Sequence, residues 1–125
     1  EAWGRHCVPV QGVDGDAELA SGISLHYIGG HTDGLQCVRV MTKRGWVVVA
    51  SDACHLYANM ETRNPFPIIF DLDTVFAGYD RLNELAPSPD HIVPGHDPLV
   101  LDRYPAVSED LKGIAVRLDV DPVPQ

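Results

Sequence analysis

Three short apolar runs in this chain each end on a turn that is followed at once by a side chain able to bind a metal. They are Gly29-Gly30-His31-Thr32, Ala50-Ser51-Asp52-Ala53 and Val93-Pro94-Gly95-His96-Asp97. This pattern constrains the fold more than any other feature of the chain. A strand that stops on a Gly- or Pro-containing turn presents its next residue at the rim of a sheet, where functional groups collect. Glycine before His31 and before His96 also lets the backbone come closer than a Cβ would allow. Two imidazoles and a carboxylate at strand ends suit Zn²⁺, with Fe²⁺ or Mn²⁺ as alternatives.

Between the three turns the periodicity is readable. Ala17–Leu19 is a short strand candidate, and Ile23–Ile28 alternates Ile23, Leu25 and Tyr27 with Ser24 and His26. Gln36–Thr42 alternates in the same way. Lys43-Arg44-Gly45 then predicts a hairpin turn into Trp46–Ala50, whose unbroken apolar character predicts a strand buried on both faces. Beyond Asp52 the period changes. Leu72, Val75, Phe76, Tyr79, Leu82 and Leu85 line one face of a helix, with Asp71 or Asp73 as its cap and Pro87 as its stop. His91–Val93 reads as a last short strand, and Gly113–Leu118 as a strand or a helical turn. Residues 1–12 show no clear period. Strand, strand, helix, strand, with ligands at the strand ends, describes a mixed α/β (α+β layered) domain.

Bulk properties remove several function classes. With 125 residues the chain is one domain or part of one, and 45% hydrophobic residues are enough for a core. A net charge of −9 repels nucleic-acid backbones and anionic lipid, so neither nucleic acid nor membrane is an expected partner. Cys7, Cys37 and Cys54 are odd in number and lack CxxC spacing, which predicts buried free thiols and a reducing, cytoplasmic setting. No Gly-x-Ser-x-Gly elbow is present, so the chemistry does not rest on a serine nucleophile.

Gly30-His31-Thr32, Ser51-Asp52-Ala53 and Gly95-His96-Asp97 resemble the last three ligand motifs of the metallo-β-lactamase-fold hydrolases. The stretch Ala50–Met60, with Asn64-Pro65-Phe66-Pro67 and Pro89–Pro98, is most similar to the N-acyl-homoserine lactonase group. The resemblance runs from about Gly15 to Leu118 and implies the C-terminal half of an αββα sandwich, residues 1–125 forming a single partial domain. It implies that His31 completes one metal site, that His96 completes a second, and that Asp52 bridges two zinc ions. It implies a small-molecule lactone or ester substrate, opened by a metal-bridging hydroxide.

The group's first motif, His-x-His-x-Asp-His, is absent from these residues. The chain is therefore expected to be an incomplete half, inactive and weak in metal binding. Where well-known members carry Tyr three residues after the bridging Asp, this chain has His55. That residue is expected to act with Asp52 in catalysis, by donating to the oxyanion or protonating the leaving alkoxide, the alternative being a packing histidine behind the ligands. Alternatives within the same fold are thioester or other ester hydrolysis; outside it, a catalytically incomplete half-domain that packs on a partner. Asp52 counts against true β-lactamases of this fold, which lack the bridging carboxylate.

Smaller expectations concern neighbours of the site. Asp97 is a candidate acceptor for an imidazole N–H. Met60, Phe66, Ile68 and Phe70 read as ordinary core more readily than as an acyl-chain pocket. His91 beside Asp90 reads as a solvated loop residue, and Arg103 as either a substrate-carboxylate contact or unengaged.

Overall fold

The computed structural model describes residues 11–123. Cys7 and the unpatterned stretch at the start of the chain therefore lie wholly or largely outside the described residues. A five-stranded sheet runs in the order β1 (Ala17–Ala20), β2 (Ile23–Tyr27), β3 (Gln36–Thr42), β4 (Gly45–Ser51) and β5 (Ile92–Pro94). The first four strands form an antiparallel meander, and β5 returns parallel to β4. The two-residue turn between β3 and β4 consists of Lys43 and Arg44; Gly45, at φ 103°, opens β4.

Register explains the burial. Val48 and Ala50 of β4 share one sheet face with Cys37 and His26, while Val47 and Val49 share the other with Val38, Val40, Ile23 and Leu25. On the first face, Cys37, Val48 and Ala50 pack with Ile28, Cys54, Ile92 and the inner side of α2 (Leu72–Leu85). On the second, Val47 and Val93 are covered by Tyr104, Val100, Val116 and Leu118. The uninterrupted apolar run of β4 thus serves two separate cores, as a strand buried on both faces must.

Helix α2 forms where the spacing predicts it. Asp71 is the N-cap, its carboxylate accepting from the Thr74 N–H at 2.7 Å, and Ala86 ends the helix just before Pro87. Its buried side chains are Val75, Tyr79, Leu82 and Leu85, joined by Gly78. A Cβ on Gly78 would sit 2.7 Å from Ile28 Cγ2, so the helix approaches the sheet through its glycine. Leu72, at the first turn, is exposed rather than part of the buried face that the spacing predicts.

Two short helices had no sequence signal: α1 (Tyr57–Glu61) and α3 (Leu99–Arg103). Single 3-10 turns occupy Pro89–His91 and Glu109–Leu111, and Val116 forms one isolated bridge with Ala106 rather than a strand. Among the described residues no helix is long and apolar enough to cross a membrane.

Strand direction positions the site. Because β2 and β4 are each antiparallel to β3, they run the same way, and β5 is parallel to β4. His31 follows β2, Asp52 follows β4 and His96 follows β5. All three therefore leave the sheet at one edge, at the carboxyl ends of like-directed strands.

Candidate metal centre

Local hydrogen bonds draw these three exits together. The loop after β5 runs beside the loop after β4: the Gly95 N–H donates to the Cys54 carbonyl at 2.9 Å and the His96 N–H to the His55 carbonyl at 3.0 Å. Close approach is required there, since a Cβ on Gly95 would lie 2.7 Å from the Ser51 carbonyl oxygen. Ser51 itself is held at φ 51°, a left-handed conformation that non-glycine residues adopt at some cost. The turn of the chain at Asp52 is therefore over-determined by its surroundings.

The His31 loop is tied to the segment before α2. The Gly30 carbonyl accepts from the N–H groups of Phe70 and Asp71 at 2.8 and 3.1 Å. Gly30 has φ 85°, and a Cβ there would meet Val75 at 2.7 Å. The His31 Nδ1 lies 2.7 Å from the Ile68 carbonyl oxygen. A carbonyl only accepts, so Nδ1 carries a proton and Nε2 is the ring nitrogen turned toward Asp52.

Asp52 is the centre of the arrangement, one-third exposed and faced by three imidazoles. Its Oδ2 faces His31 Nε2 at 3.7 Å. Its Oδ1 faces His96 Nε2 at 2.6 Å and His55 Nε2 at 3.7 Å. Asp52, His55 and His96 each offer a ligand atom within 4.8 Å of the other two. His31 stands outside this tighter group, on the other carboxylate oxygen.

The His55 ring stacks between Phe66, at 4.6 Å between centroids, and His96, at 5.1 Å, with His31 edge-on at 5.2 Å. Burial pushes the His55 pKa below its ordinary value; Asp52 opposes this, while His31 and His96 reinforce it. A neutral imidazole keeps a lone pair for a cation. One carboxylate surrounded by imidazoles is a donor set suited to a first-row divalent metal.

Leu56, Phe66 and Ile68 join the four polar residues around a cleft of about 460 Å³. This corrects the expectation that Phe66, Ile68 and Phe70 belong to the core: all three are exposed, and only Met60 packs inward. They follow no period because they lie on an irregular segment, held out by its hydrogen bonds to the His31 loop.

Asp97 also differs from expectation. Its carboxylate accepts from the backbone N–H groups of Tyr57 and Leu99, at 2.9 and 3.0 Å, and so orders α1 and α3 rather than an imidazole. His91 is bonded through both ring nitrogens, to the Ser88 hydroxyl and the Arg44 carbonyl. Arg103 pairs with Asp90 at 2.8 Å and lies over the Tyr57 ring, away from the cleft. Cys54, two residues from Asp52, is buried, and burial raises its thiol pKa to about 12; its S–H donates to the Leu56 carbonyl. It is a packing residue, as is buried Cys37.

This geometry can be set beside known proteins. No protein-family model matches the chain. An N-acyl homoserine lactonase from Bacillus cereus is 34% identical over 87 residues, covering 68% of this chain and 34% of that protein. Over the matched residues the chain is similar to this lactonase. Among solved structures, an N-acyl homoserine lactone hydrolase with the product N-hexanoyl-L-homoserine at its catalytic metal centre aligns at a TM-score of 0.60. It shares 32% identity over 68% of this chain and 34% of its own. A probable metal-dependent hydrolase from Staphylococcus aureus aligns at a TM-score of 0.60 with 15% identity, over 74% of this chain and 32% of its own, a likeness of fold alone. The chain thus spans about a third of the length of the relatives it matches. At the family level these relatives are metal-dependent hydrolases.

Proposed function

We propose that the polypeptide carrying this sheet edge is a metal-dependent lactonase acting on N-acyl homoserine lactones or related small lactones. The observation that supports this most is the placement of His31, Asp52, His55 and His96 around one cleft beside an apolar wall, in a chain similar to a lactonase. In this reading His31, Asp52 and His96 hold the metal, zinc first, with Fe²⁺ or Mn²⁺ as alternatives. The side of Asp52 that faces His31 has few donors among the described residues. A complete two-ion site therefore needs ligands beyond these, and residues 1–125 are one part of the catalytic domain. Bound there, divalent cations supply Lewis acidity and activate water for attack on an ester carbonyl.

The chain's own residues do the remaining work. Asp52 lies between two sets of imidazoles and keeps them in register. His31, fixed by the Ile68 carbonyl, holds one tautomer without rearrangement. Phe66, Ile68 and Leu56 form a wall that excludes water from one side of the substrate and accepts its apolar portion. Two roles are open to His55: donation to the substrate oxygens, or ligation of a cation.

The test is hydrolysis of an N-acyl homoserine lactone by the metal-loaded full-length protein, followed by proton release, alongside thioester and phosphodiester substrates. Lactone preference is expected, with Asp52→Asn lowering kcat/KM by about 100-fold or more, a barrier increase of about 2.7 kcal/mol. Preference for a phosphodiester would overturn the substrate class.

A further inference from the structure

The two oxygens of Asp52 are unequally furnished. On the Oδ2 side stands His31. On the Oδ1 side stand His96 and His55, and these three residues form a group of donors mutually within 4.8 Å. Two donors about 2.0–2.1 Å from a tetrahedral zinc stand roughly 3.3–3.4 Å apart. The 3.7 Å between His55 Nε2 and Asp52 Oδ1 is near that edge and too long for a hydrogen bond. His96 Nε2, at 2.6 Å, is instead hydrogen-bonded to Oδ1, and has to release that proton and draw back by about 0.7 Å to ligate. The His55 ring is also clamped between Phe66 and His96, with only 12% of its side chain exposed, so its direction is set by packing.

We infer that His55 is itself a metal ligand, and that Asp52, His55 and His96 form a mononuclear divalent-cation site that this chain supplies alone. Three protein donors with an open fourth position form a complete set for a catalytic-type zinc site. The inference rests on the metal-centre part of the proposed function but not on the lactone substrate, and its readout is binding rather than turnover.

The experiment titrates the metal-stripped full chain with Zn²⁺ and with Co²⁺, by calorimetry and by visible absorption. The expected result is one ion per chain, with His55→Ala weakening affinity by at least about tenfold and His31→Ala changing it far less. His55→Cys should retain binding and add a thiolate-to-cobalt charge-transfer band, which only direct ligation produces. That variant also settles the matter if His55→Ala fails to fold. Unchanged affinity in His55→Ala, or tight Co²⁺ binding by His55→Cys without the new band, would overturn the assignment. Absence of binding by the unmodified chain would do so too. A bound ion with the expected spectra but no lactone hydrolysis in the full-length protein would leave this site standing and remove the lactonase reading.

Discussion

Gly95 shows how strongly single positions govern this site. Its missing Cβ makes room for the Ser51 carbonyl, and through that approach His96 is brought to within 2.6 Å of Asp52. Gly95→Ala has to push the two loops apart, so a loss of about 1–3 kcal/mol of stability is expected, with weaker Zn²⁺ binding alongside. Thermal melts and a metal titration on the same variant check both. Unchanged affinity would mean that the loops are not coupled in this way. His31, Asp52 and His96 were legible in the sequence because each sits on a turn directly after an apolar run. The packing of His55 was not legible. Its neighbours Phe66 and His96 are far from it along the chain, and only folding stacks their rings against it.

At the scale of elements, α2 is the anchor of the first core. Leu82 is fully buried in it, and Leu82→Ala is expected to cost about 2–5 kcal/mol, measured by denaturant unfolding. The N-cap gives a pH signature. Hydrogen bonds from the Thr74 hydroxyl and N–H hold the Asp71 carboxyl below its ordinary value of 3.8. A carboxylate depressed in the folded state stabilises above its unfolded pKa and loses that contribution as pH falls through the folded one. Asp71→Ala should therefore lower Tm at neutral pH, and the gap to the unmodified chain should close below about pH 3.8. A gap that persisted undiminished in acid would count against the cap. The helix was legible because its period is strong over fourteen residues. The five-residue helices α1 and α3 were not, since each is too short to show a period, and α1 also depends on the Asp97 carboxylate 40 positions away to satisfy the Tyr57 N–H.

For the whole molecule, the second sheet face is only partly covered. Ile23, Leu25, Val38 and Val40 share that face, yet none is buried, whereas Val47 and Val93 on the same face are covered. An apolar sheet surface of this kind is costly in water. The chain alone should bind a hydrophobic dye such as anilinonaphthalene sulfonate and self-associate as concentration rises, and Ile23→Lys should reduce both. A dye-silent, cooperatively melting monomer would contradict that expectation.

The sequence pointed to the strands, the main helix and all four polar side chains around the cleft, because periodicity and turn chemistry are local properties and His55 stands at a fixed offset from Asp52. The tertiary structure decided what those groups face. The common direction of β2, β4 and β5 carries His31, Asp52 and His96 to one edge, and pairing across 44 positions sets His96 against Asp52. An irregular segment with no period of its own becomes the apolar wall of the cleft. Such relations depend on the energy of long-range contacts, and no local pattern encodes them.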